Sequence, residues 1–520
     1  MSTLVAVSAA VAAGCLLLLL TGELDCRGQA VTSAPPAPQV IPDFSYDTLR
    51  QRAQTLAGKP YLPEPSTPLP DFLKQLTYDQ YQTLHFRPEQ GPWRGSPMRF
   101  SLQFFHRGYI YQDPVAIYLV EKGHVTEFRF VPQQFDYSQS QVSKPVPPDL
   151  QFAGMRILYP LNRAGKQDEV ATFIGASYFR LIGTRQRYGA AGRGLAIDTA
   201  EPSGEEFPRF TEFWIEKPSA QATNLQFFAL LESPSAAGAF RFLLTPGDAT
   251  ALEVEASLYL RREVKKLGLA PLTSMMFKGA NALRFTPDFR PQVHDSDGLL
   301  LETSAEEWSW RPLNNPDRQY KVSQFPLPEQ ASFGLFQRDR DFFDYEDLVT
   351  RFDLCPSVWV QPRDRWGAGM VELVEIPTPS DANDNVVAYW VANEKLVPGK
   401  ELRWAYKVSA LLTEPSRPPL YRVLSTLINP PHDKLPIRFV IDFEGQSPPD
   451  APTNAPVGAH VQVSSGQVAN LGVERNEVTG GWRASFSLAE PGDGPVELRL
   501  FLYSGQLRLS ENWLYHLQLP

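Results

Sequence analysis

Cysteine is scarce in this 520-residue chain: there are three, at positions 15, 26 and 355. With the first two in the N-terminal stretch, the rest of the chain keeps only Cys355 and cannot close an internal disulfide. Its stability must come from core size. An excess of positive charge is also missing. Lys and Arg number 49 against 58 Asp and Glu, a net charge of −9, with the basic residues scattered. That excludes a nucleic-acid platform and disfavours an anionic membrane surface. No G-x-G-x-x-G follows a strand-like run and no Walker A sequence occurs, so nucleotide chemistry has no cradle. The G-x-S-x-G elbow of the hydrolases is absent. The seven histidines (85, 106, 124, 294, 432, 460 and 516) never fall at H-x-x-x-H or H-x-x-E-H spacing. A zinc site thus has no local support, and neither metal nor cofactor is expected.

Proline is abundant instead, with 48 residues beside 34 glycines. Each proline inside a helix removes a donor and clashes with the preceding turn, so a helical bundle or solenoid is excluded. The length implies two or three domains. Residues 4–20 (LVAVSAAVAAGCLLLLL) form an uncharged run. It is shorter than the roughly 20 residues of a spanning helix and suits a secretory h-region. Gly28 and Ala30 then provide the small residues of a cleavage site, although no Lys or Arg precedes Arg27 and no twin-arginine pair is present. Residues 1–30 read as a cleaved signal, a retained anchor being the alternative. After cleavage no stable membrane insertion is expected. Residues 31–42 (VTSAPPAPQVIP) read as an extended linker.

Two helices are expected next. FSYDTLRQRAQTLAG is capped by Asp43 or Ser45 and stopped at Gly58, and DFLKQLTYDQYQTL spans 71–84. Beyond them come short runs of period-two alternation: MRFSLQFF (98–105), VAIYLV (115–120), FRFVP (128–132), MRILYP (155–160), LQFFALL (225–231) and the longer LEVEASLYLRREV (252–264). Each is bounded by turn residues, the mark of antiparallel sheets in a sandwich or barrel. A polar stretch with Pro398 and Gly399 divides the chain. The large domain covers 43–392, a linker 393–400, and a second domain 401–520. The last supplies about seven strands, among them LRWAYKVSALL, IRFVIDF, HVQV, WRASFSL, VELRLFLY and WLYHLQL. That is the count for an immunoglobulin-like sandwich.

The remaining chemistry is carboxylates, arginines and aromatics, the vocabulary of a sugar cleft. Trp93, Trp214, Trp308, Trp310, Trp366 and Trp390 lie in the large domain; taken singly, most are expected in the core. Three acidic loops stand out: HDSDG (294–298), QRDRDFFDYED (337–347) and SDANDN (380–385). Ordinary turn chemistry accounts for the first and last, and a solvated helix start for the second. The functional alternative is a pair of acids on a glycosidic bond, one protonated to donate to the leaving oxygen and one ionised to activate water.

Long stretches settle the class. FSYDTLRQRAQTLAGKPY (44–61), FFHRG (104–108), FAGMRILYPLN (152–162), IGASYFR (174–180), RGLAIDTAEPSGEEFPRFTEFWIE (193–216), LAPLTSM (269–275), HDSDGLL (294–300), WRPLNNP (310–316), FGLFQRDRDF (333–342) and VELVEIPT (371–378) resemble the periplasmic glucan biosynthesis family, types G and D. The likeness runs from about residue 43 to the C-terminus. It implies a periplasmic protein of osmoregulated glucan synthesis, acting on or with the β-1,2-linked backbone. The implied fold is all-β: a large antiparallel sandwich of galactose-mutarotase-like type followed by an immunoglobulin-like sandwich. Some D-type members resemble inverting endo-β-1,2-glucanases, which gives Asp384 the role of general acid and an aspartate of HDSDG that of base, Asp297 in preference to Asp295. The family usually carries glutamate where this chain has Asp381, and the missing twin-arginine signal is closer to type G. Around these acids the sugar-binding candidates are Asp381, Asn383, His294, Trp308, Trp310, Arg311 and Arg338. The expected partners are a β-glucan and the inner-membrane glucan synthase. The competing reading is a non-catalytic subunit that guides nascent glucan from the synthase.

Overall fold

The computed structural model describes residues 44–63, 67–93, 95–140, 142, 144–283, 286–304, 307–394, 396–429, 435–451, 455–492 and 494–518. The expected signal, the 31–42 linker and Asp43 lie outside them. The first helix is Tyr46–Ala57. Ser45 accepts from the Thr48 amide and Thr48 returns the bond to the Ser45 amide, while Gly58 closes the other end. The expected helix over 71–84 is instead two short ones, Asp71–Lys74 and Tyr78–Gln82. Thr77 is the reason: with Gln80 it forms a second capping box, which starts a new helix.

The rest is nearly all strand. One sheet of ten strands runs, edge to edge, Ser101–Phe105, Gly154–Tyr159, Asp168–Ile174, Tyr178–Leu181, Ala191–Arg193, Leu267–Ser274, Val386–Ala392, Gly369–Glu375 and Lys321–Leu327, with Ala196–Ile197 paired beside Leu267–Ser274. Its alternation sends Leu102, Phe104, Met155, Ile157, Phe173 and Phe179 inward against a second, fifteen-stranded sheet, from which Phe213, Phe227, Phe240, Val254 and Val408 project. The FRFVP run forms no strand; Phe128 donates its amide to Ile117 and the chain then enters a 3-10 turn at Pro132.

The outer face of the larger sheet is covered at two places. Helix Tyr46–Ala57 packs Leu49 and Ala53 onto Trp214, Phe228, Leu230 and Tyr259. Further along, Leu300, Trp308, Trp310, Phe336 and Trp359 form one core with the C-terminal strands. Those strands make two layers. Arg422–Ile428, Ile437–Glu444, Trp482–Ala489 and Gln467–Arg475 pair in that order, facing Gly458–Val463, Val496–Ser504 and Asn512–Leu517. In chain order this is A-B-E-D over C-F-G, the immunoglobulin constant-type arrangement. LRWAYKVSALL does not open this unit: Glu401–Leu411 is bonded on both sides within the large sheet, to Ala251–Leu260 and Ser357–Pro362. Its Trp404, Tyr406 and Val408 belong to the main core, so the polar 393–400 stretch is a turn between two strands of the large sandwich, and the first C-terminal strand is Arg422–Ile428. The two units share hydrogen bonds too, since Trp310 pairs in parallel with Trp513.

A buried ion cluster pins them. Arg338 donates to Glu414 (2.7 Å), to both oxygens of Glu511 (2.7 and 3.1 Å) and to the Val423 carbonyl, with its guanidinium 3.7 Å from the Trp310 ring centre. Glu511 also holds Arg417 at 2.5 Å and accepts from the Val423 amide at 2.7 Å. Removing one member leaves buried cations unmatched. Glu511→Ala is therefore expected to cost about 3 kcal/mol in urea unfolding, against about 0.5 kcal/mol or less for breaking the exposed Asp71–Lys74 pair.

Candidate functional site

Part of the face of the ten-stranded sheet turned away from the main core is polar. Gln103, Arg156, Thr172 and Arg180 lie directly opposite one another across four strands, and opposed residues share a face. Arg156 donates to Gln103 at 2.9 Å, and the Thr172 and Tyr188 hydroxyls both donate to Glu169. At the end of the row Arg180 Nη2 stands 3.3 Å from Asp384 Oδ2. The strand thus directs a guanidinium at an aspartate that the chain supplies 204 residues later.

Asp384 is held there by its neighbour. Asn385 is buried, and its side-chain oxygen accepts from the Met276 amide (2.7 Å) while its nitrogen donates to the carbonyls of Met276 (3.0 Å) and Ile376 (2.9 Å). Its backbone donates to Ser274 and accepts from Ile376. The same segment receives the HDSDG turn: Met276–Lys278 pairs with Val293–His294, the Asp295 amide donates to the Met275 carbonyl, and Ser274 Oγ donates to Ser296 Oγ at 2.8 Å. Two distant acidic turns are therefore fastened to one stretch, 274–276.

Asp295 is the member of the HDSDG turn on which the charge of Asp384 acts. Burial pushes its carboxyl up to about 7, the charge of Asp384 adds to that, and Arg180 and the Cys355 thiol act in the opposite sense. Cys355 Sγ stands 3.5 Å from Asp295 Oδ1 and 2.9 Å from the Tyr188 carbonyl. Asp297, two residues on, faces elsewhere. Its oxygens accept from the backbone amides of Arg338 (2.9 and 3.1 Å) and Asp339 (3.1 Å), so this side chain fixes the start of the 337–347 loop. Burial raises it too, and the charges acting on it are Arg338 and Arg340. Gly298 follows because a Cβ there would stand 2.1 Å from the Trp310 ring.

The other sugar-binding candidates divide. Asp381 and Asn383 are exposed in the same loop as Asp384, Asp381 lying 3.0 Å from Arg290, which also holds Asp288 and Asp347. His294 is fully buried between the Gln337 and Gln292 oxygens, and burial lowers its pKa. Trp308 stacks on Trp359, and Trp310 lies beneath Arg338, both under the C-terminal unit. Arg311 is buried 3.0 Å from Glu375. Arg338 belongs to the ion cluster. These four side chains are therefore engaged in packing and pairing. Arg180 and Asn385 are the positioning residues that composition alone misses; Asn385 ends the SDANDN hexapeptide, but its role depends on Met276 and Ile376.

The Asp295 carboxyl carries a testable linkage. Its value of about 7 exceeds the ordinary 3.8, so the folded chain holds a proton that the unfolded chain has released between about pH 4 and pH 7. This contribution to stability is complete below about pH 4 and is lost as pH rises through 7. Asp295→Asn should flatten that part of the stability–pH curve. Asp384→Asn should lower the Asp295 value, read from the carboxyl resonance in a carbon-13 titration.

The family comparisons agree with this geometry in extent. The family model described as "Periplasmic glucan biosynthesis protein, MdoG" matches residues 44–517. A protein of Ralstonia nicotianae named "Glucans biosynthesis protein G" is 46% identical over 483 residues, covering 91% of this chain and 95% of its own. Nearly every residue described above falls within that match, and the chain belongs to the periplasmic glucan biosynthesis protein family, MdoG.

Proposed function

We propose that within glucan biosynthesis this chain breaks or transfers β-1,2-glycosidic bonds of the glucan backbone, using Asp384 and Asp295 as an acid–base pair. The observation that supports this reading is the effect of the Asp384 charge on the buried Asp295, with Arg180 Nη2 3.3 Å from Asp384 Oδ2. Asp295 keeps its proton up to about pH 7 and must be ionised to take a proton from water. Asp384, the exposed member, meets the leaving oxygen and donates to it. Asp295, beneath it, accepts the proton of the attacking water, and the anomeric centre inverts. Asp381 and Asn383 line the rim, and the Gln103–Arg156–Thr172–Arg180 row offers hydroxyl partners along the chain.

Residues 1–30 act in this reading as a leader removed on export, and the periplasmic face of the glucan synthase delivers the substrate. The second reading, a guide that binds glucan without cleaving it, draws on the word biosynthesis in the name of the Ralstonia relative. Incubation with linear β-1,2-glucan separates the two. The native chain should generate new reducing ends or redistribute chain lengths, while Asp384→Asn and Asp295→Asn lose at least about 10²-fold in rate. Activity should rise as pH rises through about 7, where Asp295 ionises and becomes able to act as base. A glucoside with an activated aryl leaving group should restore turnover to Asp384→Asn and not to Asp295→Asn. Binding with no change in chain length by any form would leave only the guide.

A further inference from the structure

Arg290 lies five residues before Asp295, on the chain that leads into the HDSDG turn. Its guanidinium is aimed by Asp288. Asp288 Oδ1 accepts from the Arg290 amide (2.9 Å) and from Nε (3.0 Å), and Asp288 Oδ2 accepts from Nη2 (2.7 Å). Lys278 Nζ secures the same turn by donating to the carbonyls of Asp288 (3.2 Å) and Arg290 (2.7 Å). A planar fork held along one edge by a carboxylate has its remaining nitrogen aimed for it. That nitrogen, Nη1, donates to Asp347 Oδ2 at 2.9 Å and stands 3.0 Å from Asp381 Oδ2.

Asp347 belongs to its own turn, where its Oδ1 accepts from the amides of Val349 (2.8 Å) and Thr350 (2.9 Å). Asp381 is placed differently. It lies three residues before Asp384, and residues 381–384 are all exposed. The bond from the Thr378 hydroxyl to the Ser380 carbonyl (2.7 Å) stays within the loop, and Asn385 fastens only its far end. Among the described residues, Arg290 and Arg180 are the side chains from outside the loop that reach these four. The Arg290–Asp381 pair thus runs directly from the segment carrying Asp295 to the segment carrying Asp384, a second link besides 274–276. At this exposure an ion pair contributes little to stability. It can still decide where a loop tip with so few anchors stands.

We propose that Arg290 is a positioning residue, which sets the spacing of Asp295 and Asp384 by holding Asp381. The reaction it serves is the one in the proposed function, on which the inference rests. Four of the five N–H groups of Arg290 are directed at carboxylates, so it has little left to offer a glucan hydroxyl. An acid that donates to the leaving oxygen and a base that meets a water work together only at a fixed separation, and a displacement of about 1 Å can cost about 10²-fold in rate. The tie acts on the reacting groups and not on the Gln103–Arg156–Thr172–Arg180 row. Its loss therefore appears in turnover and spares glucan affinity.

The test compares Arg290→Met, Asp381→Asn and the double variant with the native full chain on linear β-1,2-glucan. Each single change should lower kcat about tenfold and leave KM within about twofold, and the double variant should be no slower than either. Asp381→Glu keeps a carboxylate within reach of Arg290 and should regain most of what Asp381→Asn loses. Amide hydrogen exchange supplies a readout that needs no turnover. Amides 380–384 should exchange about tenfold faster in both single variants, while those of helix Tyr46–Ala57 keep their native rates and report an intact fold. A loss carried by KM, or losses that add in the double variant, overturns the positioning role and leaves the acid pair standing. Unchanged exchange over 380–384 overturns it whether or not the chain cleaves glucan. Faster exchange in a native-fold variant of a chain that cleaves nothing upholds the tie and removes the proposed reaction alone.

Discussion

The arrangement depends on a single buried amide. Asn385 makes five hydrogen bonds to Ser274, Met276 and Ile376, and those residues lie on or beside strands of the ten-stranded sheet. A carboxamide is suited to this because it offers a donor pair and an acceptor from one rigid plane. It ties the end of the 380–385 loop to the segment that also receives the HDSDG turn. Without it, Asp384 would be one more exposed acid in a turn. With it, Asp384 stands within reach of Arg180, and its charge acts on the buried Asp295.

Around that clamp the two sheets take separate duties. The fifteen-stranded sheet spends its inner face on the main core and its outer face on helix Tyr46–Ala57 and the C-terminal sandwich. The ten-stranded sheet carries its polar row on the face turned away from the main core, and Arg180 at the end of that row reaches Asp384. The C-terminal unit contributes from behind. Glu511 and Glu414 hold Arg338, the Arg338 amide holds Asp297, and Asp297 lies two residues from Asp295.

Much of this was legible in the sequence. Period-two alternation and turn residues gave away the all-β architecture, and five of the six runs named for the C-terminal sandwich fall within it. The start of that sandwich was not legible, because LRWAYKVSALL alternates as well as any strand and nothing local says which sheet it joins. The two acidic turns were visible as turns. Their facing was not: HDSDG offers two aspartates in equivalent chemistry, and the choice between them is made by the Arg338 and Asp339 amides some 40 residues away. Trp308, Trp310, Arg311 and Arg338 suggested sugar contacts by residue type, yet each is consumed by a partner from a remote segment. Arg180 and Asn385 carried no signal beyond their neighbourhoods, since both act across about 100 residues or more of chain.

The central claim is that a glucan chain lies across the uncovered sheet face with a glycosidic oxygen between Asp295 and Asp384. A crystal structure of the Asp384→Asn chain soaked with a long linear β-1,2-gluco-oligosaccharide tests it most directly. The account predicts continuous sugar density over the Arg156–Thr172–Arg180 row, one linkage beside residues 295 and 384. Density confined to another face, or to the C-terminal sandwich, would contradict it.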